Sequence, residues 1–228
     1  MNKSLKISQI LKEKQVIALL TPKRVEQCLT AYEVFSPLGI TLEIAFRSDV
    51  AMTGIQKVLK AYPNALILAG TVLTKKQAEM AIEAGVAGVV SADYISSVVK
   101  VCVKHDIMCV PGGLGDVGKQ LSQKAELYGC DFELLKEKYP YQWVHKLFPA
   151  RTSMTSFVGL AKAWKGPFKG LSIIYTGGVN RENLEEIIRF DPDGIFCGSA
   201  LTKAIDQPQQ MKEEAEKWLS IVRNTKDG

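Results

Sequence analysis

Short apolar runs alternate with longer amphipathic windows along the whole chain. The short runs are rich in Val, Ile, Leu and Phe, and Gly, Pro, Asp or Asn bounds each of them, which is typical of buried β-strands. The predicted strands are residues 16–20, 41–46, 66–70, 88–91, 108–111, 143–148, 172–176 and 194–197. The windows between them repeat their apolar positions at helical spacing. The predicted helices are residues 23–35, 50–61, 75–84, 95–104, 118–138, 156–165, 181–188 and 209–223.

Eight strands, each followed by a helix, predict a parallel α/β architecture. We favour a closed TIM (β/α)8 barrel over an open doubly wound sheet, because eight units in 228 residues match the usual size of that barrel. Residues 4–14 predict an extra N-terminal helix that covers the N-terminal end of the barrel. Residues 1–228 are expected to form a single domain, because no linker or low-complexity segment divides them. The unit between residues 113 and 142 is longer than its neighbours.

Composition and charge narrow the range of partners. The formal net charge is +5, from 29 Lys and Arg against 24 Asp and Glu, and the basic residues are scattered rather than grouped. This distribution argues against nucleic acid as a partner and is compatible with an anionic metabolite. Five cysteines without a CxxC pair and only two histidines argue against a metal site and favour a reduced, cytoplasmic setting. We expect no membrane association, because residues 61–74, the longest uncharged stretch, are too few to span a bilayer and no signal core precedes them.

A lysine stands inside the apolar sixth strand. Because side chains alternate along a strand, Lys146 shares a face with Val144 and Phe148, while Trp143 and Leu147 suit the face that meets the helices. Lys146 then projects into the barrel near the carboxyl end of its strand, where barrel active sites lie. A desolvated lysine loses proton affinity, and its neutral amine can attack a carbonyl. A lysine that snorkels to solvent or neutralises a buried carboxylate is an equal alternative on this motif alone.

The second strand adds two ionisable groups to the same interior. Strict alternation turns Glu43 and Arg47 towards the lumen. Burying a charged group there costs free energy unless the group is paired or has a function. They could form a buried ion pair that only fixes the structure. In the functional interpretation, Glu43 moves protons and Arg47 binds a substrate carboxylate. A lysine, a carboxylate and an arginine in one lumen suit carbonyl chemistry on an anionic 2-oxo acid.

Glycine and hydroxyl residues follow three of the strands. Gly70 permits close backbone approach after the third strand, and Thr71 offers a hydroxyl at the rim. Thr74 is expected to cap the helix that follows. In many barrels the loops after the last two strands bind phosphate through backbone N–H groups. The residues suited to this role are Gly177 and Gly178 after the seventh strand, and Gly198 and Ser199 after the eighth.

Gly113, Gly115 and Gly118 match the GxGxxG spacing of dinucleotide-binding loops. We discount a dinucleotide, because that fingerprint belongs on the first strand of a Rossmann fold and its acidic partner should end a second strand. Asp131, the candidate acid, instead lies in a polar helical stretch. The segment is expected to be a Gly-rich loop at the active-site rim, and no cofactor is predicted.

Motifs spread over nearly the whole chain resemble those of the 2-keto-3-deoxy-6-phosphogluconate (KDPG) / 4-hydroxy-2-oxoglutarate (KHG) aldolase family. The shared motifs are Thr41-Leu42-Glu43-Ile44 with Arg47, Ala69-Gly70-Thr71-Val72-Leu73, Pro111-Gly112, Lys146-Leu147-Phe148-Pro149-Ala150, Gly166-Pro167-Phe168, Thr176-Gly177-Gly178-Val179 and Gly198-Ser199. The resemblance implies a homotrimeric, metal-independent class I aldolase. Such an enzyme cleaves a phosphorylated 2-keto-3-deoxy sugar acid to pyruvate and glyceraldehyde 3-phosphate, or 4-hydroxy-2-oxoglutarate to pyruvate and glyoxylate.

The resemblance also implies a role for each matched residue. Lys146 is the Schiff-base residue and Glu43 the acid/base, while Arg47 and Thr71 bind the pyruvyl carboxylate. The other implied substrate-binding residues are Pro111, Phe148 and Thr176 around the pocket, and Gly177, Gly178, Gly198 and Ser199 at the phosphate.

Three segments on the C-terminal rim depart from the family's pattern. They are Ser91-Ala92-Asp93-Tyr94 in place of Ser-Pro, the Gly-rich loop with extra residues after Pro111-Gly112, and Arg151-Thr152-Ser153-Met154-Thr155 after Ala150. These changes leave the acceptor aldehyde and the 2-oxo acid open. Two alternatives use the same barrel. One is a phosphosugar isomerase or epimerase, with Lys146 only as an electrostatic anchor, and the other is a non-catalytic barrel that binds a phosphate ligand.

Overall fold

A computed structural model describes residues 2–227, whose strands form one parallel sheet. The strands are β1 (Val16–Leu20), β2 (Thr41–Ala45), β3 (Ile67–Gly70), β4 (Gly88–Val90), β5 (Met108–Val110), β6 (Gly112–Gly113), β7 (Val144–Leu147), β8 (Ser172–Thr176) and β9 (Ile195–Gly198). Their order across the sheet is β5-β4-β3-β2-β1-β9-β8-β7-β6.

The two ends of this sheet meet, because β5 and β6 are successive parts of one strand. Pro111 separates them, since proline has no N–H to continue the ladder. β5 pairs with β4, and β6 pairs with β7, where the Lys146 amide donates to the Pro111 carbonyl at 2.9 Å. The barrel therefore has eight strand positions with a break in the fifth, and the predicted TIM (β/α)8 class is confirmed.

The helices occupy the predicted windows with one correction. They are α1 (Lys3–Lys14), α2 (Glu26–Phe35), α3 (Ala51–Ala61), α4 (Lys75–Ala84), α5 (Ser96–Lys104), α6 (Val117–Tyr128), α7 (Phe132–Lys138), α8 (Gly159–Lys165), α9 (Arg181–Phe190) and α10 (Pro208–Asp227). The prediction of one helix over residues 118–138 is wrong. Gly129 ends α6 with φ 64°, a conformation that glycine adopts without steric cost, and Asp131 then caps α7. None of the helices in residues 2–227 is long and apolar enough to cross a bilayer.

Alternation along the strands produces two separate apolar layers. Val144 of β7 lies in the cluster that fills the lumen, while Trp143 and Leu147 lie in the cluster between the strands and the helices. Strand alternation predicted this division. It places the side chain of Lys146 on the lumen side of β7.

The N-terminal helix closes the amino end of the barrel, as predicted. Ile7 and Leu11 of α1 are buried in the lumen cluster. The Ser4 hydroxyl accepts from the Met108 amide at 2.8 Å and donates to the Ala87 carbonyl at 2.9 Å. With the amino end closed, a ligand can enter the lumen only from the carboxyl ends of the strands.

Candidate active site

Lys146 is held inside the lumen by β7, with a relative exposure of 3%. Its Nζ atom lies 5.4 Å from the centroid of the Phe148 ring. Its Cε atom occupies space left by Gly112, where a Cβ would lie only 2.8 Å away. The lysine does not snorkel to solvent, and no carboxylate within residues 2–227 forms an ion pair with it.

Burial holds the pKa of Lys146 below its ordinary value, because water no longer solvates the ammonium form. The carboxylate of Glu43 and the thiol of Cys197 oppose this lowering of the pKa, whereas the positive charge of Arg47 adds to it. A lower pKa increases the fraction of neutral amine near pH 7. The neutral amine is the form that attacks a carbonyl.

Glu43 reaches the same lumen from β2 and is 1% exposed. Its Oε2 atom accepts from the Cys197 thiol at an Sγ–Oε2 distance of 3.7 Å. Its Oε1 atom is buried and has no hydrogen-bond partner among the described residues. Burial raises the pKa of Glu43, although the charges of Lys146 and Arg47 and the thiol hydrogen bond oppose the rise. A buried carboxyl with a raised pKa and an unpaired oxygen suits proton transfer near neutral pH.

Gly70 makes room for the Glu43 side chain. It ends β3 opposite Ala45 of β2. A Cβ at this position would lie 2.6 Å from the Glu43 Cγ atom and closer still to Oε1. The sequence predicted that Gly70 permits a close approach, and the group that approaches it is the Glu43 side chain.

Arg47 lies at the mouth of the barrel, which corrects its predicted place on the inner face of the second strand. β2 ends at Ala45, and Arg47 beyond it is exposed. Its Nε atom donates to the Thr71 hydroxyl at 3.0 Å, and Thr71 has a φ of 54°. The structural ion pair between Arg47 and Glu43 does not occur in the described chain. The guanidinium is instead available to an anion that enters from solvent.

The glycine loop after β8 is tightly packed against the loop after β7. Gly177 and Gly178 have φ values of 81° and 74°, which glycine adopts without strain. A Cβ at Gly178 would lie 2.9 Å from the carbonyl carbon of Arg151. Gly177 accepts from the Arg151 amide through its carbonyl at 3.0 Å. The loop is thus fixed in position at the carboxyl end of the barrel.

In the second candidate phosphate loop, which follows β9, packing explains why Gly198 is a glycine. A Cβ at Gly198 would lie 2.9 Å from Cζ2 of the Trp218 indole and closer still to Cη2, so packing alone requires glycine. Ser199 opens a 3-10 helix that extends to Thr202. Asn180 caps α9 with its own side chain, which accepts from the first amides of that helix. An anion here would therefore bind the amides of the glycine loop and of Ser199 rather than those of α9.

The remaining predicted site residues lie at the same end of the barrel. Pro111 is buried at the break in the fifth strand position, and its carbonyl accepts from the Lys146 amide. Phe148 is half-buried beside the Lys146 amine. Thr176 is buried at the end of β8 and pairs in register with Cys197 of β9. Thr74, predicted as a helix cap, accepts from the Gln77 amide at 3.2 Å in a capping box.

The segments that depart from the family's pattern border this site. The Ser91 and Ala92 carbonyls lie 2.7 and 2.8 Å from where a Cβ of Gly112 would be, next to the Lys146 side chain. Arg151 forms an ion pair with Glu186 of α9 at 2.9 Å. Changes at these positions therefore alter the walls of the entrance, whereas Lys146 and Glu43 lie deeper in the lumen.

The Gly-rich segment after β5 has a different structure from a dinucleotide-binding loop. Gly113 pairs with Leu147 in β6, and Asp131 caps α7 by accepting from the Leu134 amide at 2.8 Å. The acidic residue of the fingerprint thus ends no strand. Within residues 2–227, no three His, Cys, Asp or Glu side chains converge as metal ligands.

Sequence reasoning missed Cys197, whose thiol touches Glu43. The signal was available, because alternation along β9 turns Ile195 and Cys197 into the lumen cluster. A cysteine among apolar residues is most often a core residue, and nothing in its own strand indicates a carboxylate partner.

A closed α/β barrel that holds a buried lysine and a buried carboxylate in one lumen, with the amino end blocked, has the architecture of a barrel enzyme. Over residues 7–215 the sequence matches the model of the family described as KDPG and KHG aldolase, and the chain belongs to this family. It is therefore an aldolase, and so a lyase.

Individual relatives agree with this assignment. A 2-dehydro-3-deoxy-phosphogluconate aldolase of Haemophilus influenzae is 26% identical over 195 residues, 85% of this chain and 84% of the relative. The solved KDPG aldolase of Zymomonas mobilis ZM4 with 3-phosphoglycerate is 21% identical, has a TM-score of 0.75, and the match covers 94% of this chain and 95% of that one. A solved KDPG aldolase from Legionella pneumophila, with pyruvate captured as a covalent carbinolamine intermediate, is 24% identical and has a TM-score of 0.73. The match covers 93% of this chain and 96% of that one. These two structures share the barrel fold.

Proposed function

We propose that Lys146 is the nucleophile of this class I aldolase and forms a Schiff base with C2 of a 2-oxo acid. The observation that carries the proposal is the buried amine of Lys146, with its lowered pKa, in the same lumen as the buried Glu43 carboxyl. No direct ion pair in the described chain ties the amine to a carboxylate. The amine is therefore available to a carbonyl carbon.

In the proposed reaction, the Lys146 amine attacks C2, and the resulting carbinolamine loses water to give an iminium. Glu43 removes the proton of the C4 hydroxyl, the C3–C4 bond breaks, and its electron pair passes to the iminium to form an enamine. The aldehyde leaves. Glu43 returns the proton to C3, and hydrolysis of the new iminium releases pyruvate and restores the amine.

Arg47 and Thr71 are proposed to bind the carboxylate of the 2-oxo acid. A planar guanidinium can donate two parallel hydrogen bonds to a carboxylate. The 3.0 Å hydrogen bond from Nε to the Thr71 hydroxyl orients the Arg47 guanidinium at the mouth. A carboxylate bound there would leave the adjoining carbonyl nearer to Lys146 in the lumen.

The proposed substrate is a 2-keto-3-deoxy-6-phospho sugar acid, which yields pyruvate and glyceraldehyde 3-phosphate. The Zymomonas mobilis relative was solved with 3-phosphoglycerate, a phosphorylated acid, which supports a phosphate subsite in this family. 4-Hydroxy-2-oxoglutarate, which yields glyoxylate, is the second proposed substrate. The residues proposed to bind the phosphate are Gly177, Gly178, Gly198 and Ser199, with Pro111, Phe148 and Thr176 around the rest of the substrate.

We also propose that the enzyme acts in the cytoplasm as a homotrimer. The family resemblance supports the trimer. The free thiols of Cys28, Cys102, Cys109, Cys130 and Cys197 support a reducing compartment.

A substrate panel tests the proposed reaction. Phosphorylated and unphosphorylated 2-keto-3-deoxy acids and 4-hydroxy-2-oxoglutarate are assayed for pyruvate release, and we expect the highest kcat/KM with a phosphorylated acid. Ser199→Ala keeps the backbone amide but removes the hydroxyl, which is proposed to add a hydrogen bond to the phosphate. It should therefore lower kcat/KM for the phosphorylated acid and leave that for its unphosphorylated analogue nearly unchanged. Failure to release pyruvate from any of these acids would contradict the proposed substrate class.

The pH dependence of Schiff-base formation tests the state of Lys146. The neutral amine exists above the pKa of the lysine, and burial lowers that pKa. Reductive trapping of pyruvate by cyanoborohydride should therefore continue to a lower pH in the folded chain than in the same chain unfolded in urea. Peptide mapping across the pH range follows the adduct at Lys146. Equal pH profiles for the folded and unfolded chains would argue against a desolvated nucleophile.

A further inference from the structure

Cys197 is a lumen residue that contacts the acid/base candidate. It lies on β9, is 2% exposed, and belongs to the apolar cluster that fills the barrel. Its thiol donates to Oε2 of Glu43, which reaches across from β2, at a distance of 3.7 Å. The sequence separation of the two residues is 154, and they meet because β1 pairs with both β2 and β9.

The two oxygens of Glu43 have different surroundings. Oε2 has the Cys197 thiol as a hydrogen-bond donor, whereas Oε1 is buried without a partner in the described chain. Oε1 lies over the bare backbone of Gly70, where no side chain competes for the space. A carboxyl that is fixed through one oxygen keeps the other for proton exchange with a bound molecule.

From these contacts we propose that Cys197 is a positioning residue, which holds Oε2 of Glu43 so that Oε1 is presented to the substrate. Thr176 of β8 is the register partner of Cys197 and lies beside it in the sheet. This inference rests on the proposed function in giving Glu43 the proton-transfer role. It extends that function to a residue on β9, which is separated from the strand of Glu43 only by β1.

The thiol also affects how Glu43 titrates. The ionisable groups that face Glu43 are Lys146 from β7, Arg47 beyond the end of β2, and Cys197 from β9. Burial raises the pKa of Glu43, and the other three groups oppose the rise, the thiol by donating to the ionised carboxylate. Removal of the thiol should therefore raise the pKa of Glu43 further and favour its protonated form.

Three variants separate positioning from simple packing. Cys197→Ala removes the donor, and Cys197→Ser keeps a hydroxyl donor at the same place. Cys28→Ala removes a buried thiol from α2, in the layer outside the barrel, and serves as the matched packing control. Each is compared with wild type for kcat of pyruvate release, thermal melting, and titration of the Glu43 carboxyl by carbon-13 NMR, with Glu43→Gln used to assign the signal.

We expect Cys197→Ala to lower kcat by about three- to tenfold, which corresponds to the loss of one ordinary hydrogen bond because a thiol is a weak donor, and to move the Glu43 titration to higher pH. Cys197→Ser should restore both values towards wild type. Cys28→Ala should lower only the melting temperature. If Cys197→Ala changes the melting temperature but neither kcat nor the Glu43 titration, the thiol merely fills space and the inference is overturned.

The NMR titration keeps this test independent of the proposed reaction. If wild-type enzyme forms no pyruvate adduct, the aldolase mechanism fails, yet a shifted Glu43 titration in Cys197→Ala still supports the positioning contact. If the adduct forms and the titration and kcat do not change, the contact fails and the aldolase mechanism stands.

Discussion

Lys146→Ala is expected to lower kcat/KM for pyruvate release by about 10⁴-fold or more, because no covalent intermediate can form without the amine. The methyl of alanine leaves Glu43 and the mouth of the barrel in place, so substrate can still bind. Steady-state pyruvate release gives the loss of activity. Intact mass after reduction with pyruvate gives the loss of the adduct, and both should disappear together.

Lys146→Arg separates a nucleophile from an electrostatic anchor. Arginine keeps a positive charge at this point of the lumen but stays protonated and does not form an imine. In the isomerase or epimerase alternative, Lys146 acts only through its charge, and the arginine variant would keep much of the activity that Lys146→Ala loses. We expect the two variants to be equally inactive. A clearly more active arginine variant would contradict the Schiff-base role.

Lys124 is an internal control for the same measurement. It is fully buried, and burial lowers its pKa to about 8. Its Nζ atom donates to the carbonyls of Cys109 and Gln142 at 2.7 and 2.8 Å, on the outer side of the strands under α6. Peptide mapping should therefore find the reduced adduct on Lys146 and not on Lys124. An adduct on Lys124 would mean that a low pKa alone, rather than the lumen, selects the lysine.

Local alternation was sufficient to predict the deep part of the site. Successive side chains of a strand point to opposite faces. The apolar neighbour Leu147 faces the helices, so Lys146 must face the lumen. The same argument turned Glu43 inwards. Eight strand–helix units then predicted the closed barrel, because the alternation of strands with helices and the chain length can both be taken from the sequence.

Contacts between side chains of different strands could not be predicted in this way. The hydrogen bond between Cys197 and Glu43 depends on the stagger of closed strands, which no local pattern encodes. The position of Arg47 was misjudged for a related reason, since alternation continues in the sequence beyond Ala45, where the strand itself ends. Boundaries of elements depend on the hydrogen bonds of neighbours, so the rim of the barrel was predicted less well than its interior.

The inserted segment between the fifth and sixth strand positions illustrates the same limit. Its apolar spacing is helical throughout, but Gly129 and the Asp131 cap divide it into two helices. α6 buries Gln120 and Lys124 against the outside of the barrel, behind the strands that carry Pro111 and Lys146. The insertion thus supports these two strands from outside, although its sequence predicted only a longer helix beside the rim.

Gly70→Ala is expected to lower kcat by about a hundredfold, because the added methyl would overlap the Glu43 carboxyl and displace it from its reactive position. The conflict is with a buried side chain in a closed lumen, so Glu43 can yield only by moving away from the substrate. Schiff-base formation depends on Lys146, and we expect pyruvate to be trapped still in this variant. Two quantities are measured, kcat for pyruvate release and the yield of trapped adduct, and only the first should fall.

Gly88→Ala is the matched control, since a Cβ there would lie 2.7 Å from Cδ2 of Leu68, another lumen side chain, and not against Glu43. It should lower stability with little change in kcat, because overpacking strains the core without moving the carboxyl. The double variant Glu43→Gln with Gly70→Ala completes the cycle. If the glycine acts only through Glu43, adding Gly70→Ala to Glu43→Gln should cost no further activity. A full additional hundredfold loss in the double variant would mean that Gly70 shapes the site by another route, such as the path of β3 towards Thr71.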